Sequence, residues 1–220
     1  MTVLAIDTSE ANCSAALWTE GGQSFAASDP IGRGHAERLL PMIEELLSEA
    51  CIAYRDISRI AVTTGPGTFT GLRVGLSVAR GLALSLGVPC TGLSGLEVLA
   101  AQAKKNEGIV HSVIKGRGGQ VFYQVFEAEG GAKPAKALHK AVNIDADDAR
   151  AAIETRSGYV IGSAVPLVLG REAGPEDVID PIVLAKAAFP LDPDDYPPEP
   201  FYLREADAIA AKPIINISDQ

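Results

Sequence analysis

The stretch from Thr63 to Pro89, TTGPGTFTGLRVGLSVARGLALSLGVP, decides the fold of this 220-residue chain. A preceding apolar run, residues 59–64, is typical of a buried strand, and the stretch continues through a glycine-rich turn into a helical pattern that ends at Leu86. A strand that passes through such a turn into a long helix is typical of α/β proteins. The turn could bind a phosphate, or the helix could pack against another protein.

The glycine-rich turn matches neither of two common phosphate-binding motifs. A Walker A loop needs a lysine and a hydroxyl residue after its last glycine, but Gly71 is followed by Leu72 and Arg73. The dinucleotide fingerprint GxGxxG needs a third glycine where Thr70 stands. The N–H groups of the helix start remain available to a phosphate. A turn shaped by Pro66 and its flanking glycines explains the same residues without a ligand.

The helix after the turn carries a ridge of small residues, Gly71, Gly75 and Ala79, at intervals of four. Residues four apart share one face of a helix, and apolar residues surround this ridge. A helix with so little polar surface must be covered on more than one side. The ridge could therefore face the chain's own core, the neighbouring helix or a partner chain. Arg73 and Arg80 would lie at its polar edge.

Strand-like and helical segments follow one another in an order that occurs twice. The first half is predicted to contain strands and helices at residues 3–9, 12–18, 23–29, 36–50 (helix), 59–64, 72–86 (helix), 88–93 and 95–105 (helix). The second half is predicted to contain them at residues 109–116, 120–128, 135–142, 145–156 (helix), 159–165 and 181–189 (helix). This duplicated βββαβα order predicts an α/β fold with an N-terminal lobe, 1–105, and a smaller C-terminal lobe, 106–220. A proline-rich connector at 189–200 precedes the C-terminal tail.

Composition and charge limit the class of function. The formal net charge is -9, and the resulting field repels a nucleic-acid backbone. The cysteines, Cys13, Cys51 and Cys90, lie far apart without CxxC spacing, which argues against disulfides and structural zinc. Acidic residues interrupt the first thirty positions, and no long apolar run follows. The chain is therefore expected in the cytoplasm, with no membrane contact.

Metal and nucleophilic chemistry find little support in the sequence. The three histidines, His35, His111 and His139, lie in separate segments without HxxxH spacing, so no metal site is expected. The cysteines lie in apolar stretches, where a thiol stays neutral. Ser94 precedes a helix, and N-capping accounts for it.

Four segments resemble the bacterial tRNA threonylcarbamoyladenosine biosynthesis protein family TsaB, also called YeaZ. They are AIDTS at residues 5–9, HAERLLPMIEELL at 35–47, TTGPGTFTGLRVGLSVARGLA at 63–83 and FYLR at 201–204. The resemblance spans essentially the whole chain, is densest over residues 3–100, and is most specific in the third segment. It implies two ribonuclease-H-like lobes of the actin-like, Hsp70 and sugar-kinase (ASKHA) type.

The resemblance also implies a function. Members of the family are required but non-catalytic subunits that pair with a larger catalytic paralogue, TsaD, and act with an ATPase, TsaE. Together these proteins attach threonylcarbamoyl to adenosine 37 of tRNAs that read codons beginning with A. The resemblance therefore implies a scaffold that forms a homodimer when alone and reaches tRNA only through the complex. It implies no cofactor of the chain's own, although ATP or ADP could occupy the complex interface.

The pairing surface implied by the resemblance lies on the first two helices. The residues expected in it are Leu40, Leu47, Gly71, Arg73, Gly75, Leu76, Ala79 and Arg80.

A catalytic set is incomplete in this sequence. Enzymes of this fold hold nucleotide phosphates between two facing loops whose carboxylates position Mg²⁺. Asp7, Thr8 and Ser9 supply the first loop, but Lys115 stands in the second, where many TsaB relatives have an aspartate. A charged lysine cannot bind Mg²⁺ or act as a base. We therefore expect a vestigial phosphate loop and no catalytic residue.

Two alternatives remain. The first is a small-molecule kinase or ATPase of the same fold that uses Asp7 and a bound Mg²⁺. The second is direct tRNA binding through Arg117, Arg156 and Arg171, which the acidic balance of the chain disfavours.

Overall fold

The computed structural model describes residues 1–103, 108–128 and 135–203. Its first sheet has the strand order β3-β2-β1-β4-β5, antiparallel from β3 to β1 and parallel from β1 to β5. The strands are β1 Thr2–Asp7, β2 Cys13–Thr19, β3 Ser24–Asp29, β4 Arg59–Gly65 and β5 Cys90–Ser94. All five predicted strands of the first half are confirmed within two residues at either end.

Two long helices cover one face of the first sheet, and they are α1 His35–Ala50 and α2 Phe69–Leu86. The α1 helix contains Pro41 within its first two turns. The α2 helix begins three residues earlier than residue 72, because Thr68 caps it: its hydroxyl accepts a hydrogen bond from the Gly71 N–H at 3.2 Å. The sequence pattern missed the first turn of α2 because residues 69–71 do not follow the apolar periodicity of the rest of the helix.

The second sheet is built around a long hairpin. Its strands are β6 Gly108–Lys115, β7 Gln120–Ala128, β8 Lys136–Ala137, β9 Val142–Asp145 and β10 Tyr159–Ile161. Their order is β10-β6-β7, and both β8 and β9 pair with β7. The single strand expected at 135–142 is therefore wrong: two short strands lie beside different parts of β7.

The predicted strand 159–165 is also shorter than expected. It ends at Ile161 because Gly162 has a φ of +121° and its N–H donates to Asp177 at 3.0 Å, outside the sheet. A short helix follows where the strand was expected to continue. The remaining helices are α3 Gly95–Gln102, α4 Ala146–Thr155, α5 Val165–Leu169 and α6 Pro181–Ala188.

Two helices lie between the sheets and share one core with both. The α3 helix, from the first half of the chain, packs on β6 and β7, whereas α6, from the second half, packs on β1, β2 and β4. Buried residues such as Ala5, Leu96, Phe126 and Leu184 meet in this core. Each half of the chain thus contributes a helix that packs on the sheet of the other half. A lobe boundary near residue 105 stays a prediction.

Among the helices in the described ranges, none combines the length and the apolar character needed to cross a bilayer.

Candidate functional site

A cavity of about 1060 Å³ lies between the loops that end β1 and β6. Asp7 and Ser9 line it from the first sheet, and Lys115 and Arg117 line it from the second. The two loops that the sequence singled out are therefore brought to one cavity. Phosphate-binding proteins of this general design place a ligand at such a position, because parallel strands end there beside a helix N-terminus.

One oxygen of the Asp7 carboxylate is saturated by donors of its own chain. This oxygen, Oδ1, accepts hydrogen bonds from the Ser9 N–H at 3.0 Å, the Ser9 hydroxyl at 2.7 Å and the Thr63 hydroxyl at 2.6 Å. The residue is almost completely buried. Burial raises the pKa of Asp7, and these hydrogen bonds oppose the rise. The side chain therefore ties the end of β1 to the end of β4.

The second loop presents a lysine and lacks a carboxylate at the matching position. The Lys115 side chain is exposed, and its backbone N–H donates to the Ser163 hydroxyl at 3.0 Å. The arrangement can attract an anion, but a charged lysine cannot share a divalent cation with Asp7.

Glu10 is a site residue that the sequence reasoning missed. It lines the cavity and accepts a hydrogen bond from the Ser163 hydroxyl of the second lobe. Burial raises the pKa of Glu10 to about 7, the Ser163 hydroxyl lowers it and nearby Asp7 adds to the rise. Its position three residues after Asp7, in the loop after a strand, was the available signal.

Asp177 is a second buried acid at the cavity. It accepts hydrogen bonds from the Arg171 guanidinium at 2.7 Å and from the N–H groups of Gly162 and Gly174. Burial opposes the charged form, but these donors outweigh it and hold the pKa of Asp177 below its usual value. Arg171, considered above as a contact for tRNA, is thereby committed to an internal ion pair.

The segment after the proline-rich connector closes one side of the cavity. The Phe201 N–H donates to the Thr64 carbonyl at 2.8 Å, and the Tyr202 ring lies 5.5 Å from the ring of Phe69. The Arg73 guanidinium lies over the same Phe69 ring at 3.7 Å. Of the FYLR segment, residue 204 lies outside the described residues.

The small-residue ridge of α2 faces the chain's own first strand, which corrects the expectation of a surface open to a partner. A Cβ on Gly71 would lie 2.1 Å from the Thr8 carbonyl oxygen, and one on Gly75 would lie 2.5 Å from the Thr8 hydroxyl. The expected interface residues that are buried within the chain are Leu47, Gly71, Gly75, Leu76 and Ala79. Of the three alternatives left open, packing against the chain's own core describes the ridge.

The opposite face of α2 is open. Leu84 is 86% exposed, and Arg73, Ser77 and Arg80 are exposed on the same side of the helix. Leu40 of α1 is 43% exposed. Three of the eight residues expected at a pairing surface, Leu40, Arg73 and Arg80, are thus available on the outside of the helices.

The cysteines and histidines lie apart from one another. Burial raises the pKa of Cys13 and of Cys90 to about 11, so both thiols stay neutral, whereas Cys51 is exposed and not in the apolar surroundings expected of it. His111 is buried, with one ring nitrogen 2.8 Å from the Tyr123 hydroxyl. Within the described ranges, no group of three or more candidate ligands could hold a metal ion.

Comparisons with known proteins match most of the chain. Residues 30–150 match the family model described as "TsaD: tRNA N6-adenosine threonylcarbamoyltransferase". The chain is 35% identical to the tRNA threonylcarbamoyladenosine biosynthesis protein TsaB of Bacillus subtilis over 60% of this chain and 57% of that protein. It is 37% identical to the Escherichia coli protein of that name over 59% of this chain and 56% of that protein. The matched region therefore spans little more than half the length of these relatives.

The structure of YeaZ from Pseudomonas aeruginosa matches at a TM-score of 0.73 with 26% identity. The match covers 92% of this chain and 99% of that chain. A match over this length includes both sheets and confirms the predicted two-lobed α/β fold.

Proposed function

We propose a function from the premise that this chain belongs to the TsaD (tRNA N6-adenosine threonylcarbamoyltransferase) family and to its TsaB (YeaZ) branch. The chain is a non-catalytic subunit of a tRNA-modifying complex. In this role it pairs with a TsaD-like paralogue that carries the transfer site. A TsaE-like ATPase joins the pair, and tRNA contacts the chain only through the complex. Any ATP or ADP binds at the interface between subunits.

The state of the first loop is the observation that supports a non-catalytic role. Asp7 directs one oxygen to three donors of its own chain, and the matching position of the second loop is Lys115. In-line phosphoryl transfer needs carboxylates that are free to position Mg²⁺ and the attacking group. The Asp7 oxygen that accepts these three hydrogen bonds holds two strands together and serves the fold instead.

The outer face of α2 supports the pairing role. A highly exposed leucine, Leu84, lies on the same side as Arg73 and Arg80. Apolar contact at the centre with charges at the edge is the usual composition of a specific interface, which buries about 800 Å² on each partner. Charges at the edge set the register and the association rate more than the affinity.

Reconstitution tests the proposal. The TsaD-like paralogue and the ATPase from the same organism are assayed with and without this chain, and threonylcarbamoylated tRNA is measured by mass spectrometry. We expect product only when all three proteins are present. Leu84→Asp should abolish copurification with the paralogue and reduce product at least tenfold. Full product without the chain would contradict the proposal.

The matched control is Leu169→Asp on α5, where the leucine is 44% exposed and the helix packs on α4 of the second half. It introduces the same charge and should leave both copurification and product unchanged. Equal loss in the two variants would mean that a surface aspartate acts through solubility, and the α2 face would then lose its support as the interface.

A small-molecule kinase or ATPase is the second candidate, because the cavity of about 1060 Å³ includes Asp7 and is large enough for a nucleotide. ATP turnover by the chain alone, lost in an Asp7 variant, would favour this candidate over a scaffold.

A further inference from the structure

Both hydroxyl groups of the Asp7-Thr8-Ser9 loop form hydrogen bonds within the chain. The Thr8 side chain is 1% exposed, and its hydroxyl donates to the Gly71 carbonyl of α2 at 2.7 Å. The Ser9 hydroxyl donates to Asp7 at 2.7 Å, and the Ser9 carbonyl accepts from the Thr68 N–H at 2.7 Å. These groups point to a mechanical role for the loop, in which it holds the start of α2.

The contact between this loop and α2 is made backbone to backbone. A Cβ on Gly67 would lie 2.1 Å from the Ser9 carbonyl oxygen, and a Cβ on Gly71 would lie at the same distance from the Thr8 carbonyl oxygen. Real side chains never approach that closely, so only glycine lets the helix rest on the loop here. Side-chain rearrangement cannot absorb a displacement of the loop at such a contact. The helix must move with it.

The same turns of α2 carry the exposed face on their other side. Gly71 and Gly75 contact Thr8, whereas Arg73, Ser77 and Arg80 are exposed. Residues 71 and 75 lie on one side of the helix and residues 73, 77 and 80 on the other, because one turn takes 3.6 residues. The Thr8 contact thus fixes the tilt and register with which the outer residues meet a partner.

We propose that Thr8 is a positioning residue for the partner-binding face of α2, an inference that rests on the function proposed above. Its hydroxyl fastens the first two turns of the helix to the end of β1. The loop that the sequence suggested as a remnant phosphate site therefore acts on protein pairing. A partner then meets a helix that is already held in its bound orientation.

Thr8→Val removes the hydroxyl and keeps the shape of the side chain, and Thr8→Ser keeps the hydroxyl. We expect Thr8→Val to weaken binding to the TsaD-like paralogue about three- to tenfold by calorimetry, the effect of one buried hydrogen bond. Thr8→Ser should restore affinity to within twofold. In the isolated chain, Thr8→Val should also speed hydrogen exchange at residues 71–77 relative to the wild type.

Val121→Ala, in the core of the second lobe, controls for lost stability alone, since Val121 is fully buried among residues of the second half of the chain. It should lower the melting temperature without changing paralogue affinity by more than twofold. Wild-type affinity and exchange in Thr8→Val would overturn the positioning role, and so would equal losses of affinity in Thr8→Val and Val121→Ala. Failure of the wild type to bind the paralogue would instead defeat the proposed function, and exchange at residues 71–77 would still decide whether Thr8 holds the helix.

Discussion

Glu10, in the loop after β1, accepts a hydrogen bond from the Ser163 hydroxyl, which lies 153 residues further along the chain. The same hydroxyl accepts from the Lys115 N–H at 3.0 Å. One serine therefore links the loops that end β1 and β6, one from each sheet. This link lies at the cavity, so the protonation of Glu10 bears on how the two halves are held together.

Stability should fall as Glu10 ionises. Burial raises the pKa of Glu10 from 4.5 to about 7, so the folded state binds its proton more tightly than the unfolded state does. The free energy of unfolding must then decrease as the pH rises from 4.5 through about 7. Glu10→Gln cannot ionise, and it should be more stable than the wild type at pH 8 by roughly 1 to 3 kcal/mol.

Urea unfolding of both proteins at about pH 5 and at about pH 8 measures this difference. Glu49→Gln on the exposed face of α1 is the control substitution. A difference between Glu10→Gln and the wild type that does not change with pH would contradict the assignment.

Gly75 and Gly81 offer a matched pair of substitutions in one helix. A Cβ on Gly75 would lie 2.5 Å from the Thr8 hydroxyl, whereas one on Gly81 would meet nothing within 4 Å. We expect Gly75→Ala to destabilise the chain by about 2 kcal/mol. Gly81→Ala should stabilise it by about 0.5 to 1 kcal/mol, because alanine favours the helix. Thermal unfolding followed by circular dichroism measures both, and equal effects at the two positions would contradict the packing described for α2.

Arg171 is expected to stabilise the fold through its ion pair with a buried carboxylate. Asp177 is completely buried and pairs with the Arg171 guanidinium at 2.7 Å. Arg171→Met would leave that carboxylate with only backbone donors, and we expect a loss of about 2 to 4 kcal/mol in the free energy of unfolding at pH 7. The loss should shrink as the pH falls below the usual pKa of an aspartate towards the lowered pKa of folded Asp177, because the carboxylate is then protonated first in the unfolded state and at lower pH in the folded state. Chemical denaturation at about pH 7 and about pH 3 follows it, and a loss that stays constant with pH would count against the ion pair.

The isolated chain should not hydrolyse ATP with Asp7. Purified protein is assayed with Mg²⁺ and ATP, and its turnover is compared with that of Asp7→Asn, which keeps the size of the side chain. We expect no turnover above the background of the buffer in either protein. Turnover in the wild type that disappears in a folded Asp7→Asn variant would favour the kinase or ATPase alternative over the scaffold.

The sequence predicted the strands and helices whose patterns are local. Alternating and continuous apolar runs located the first sheet, and Ser94 caps α3 as expected, accepting from the Glu97 N–H at 3.1 Å. The direction of the Gly71 and Gly75 ridge could not be predicted, because α2 is apolar nearly all round and periodicity then defines no outer face.

Features that depend on distant pairing were also beyond a sequence pattern. Nothing local indicates that α6 packs on the first sheet or that Glu10 meets Ser163. The two short strands beside β7 replaced one predicted strand because register and pairing are set by tertiary contacts. The site was therefore predictable as two loops, and its hydrogen-bond network was not.

The course of the chain after α6 has a consequence for solubility. The strand β5 is the last in its sheet, and the Gly92 N–H on its free side donates to the Tyr196 carbonyl at 2.9 Å. Unpaired strand margins recruit other molecules into intermolecular β-structure. A proline-rich segment lies along this margin and accepts the hydrogen bond of the Gly92 N–H. A segment with so many prolines cannot itself nucleate a further strand. A shortened version ending before Tyr196 would bare that margin and should self-associate on heating.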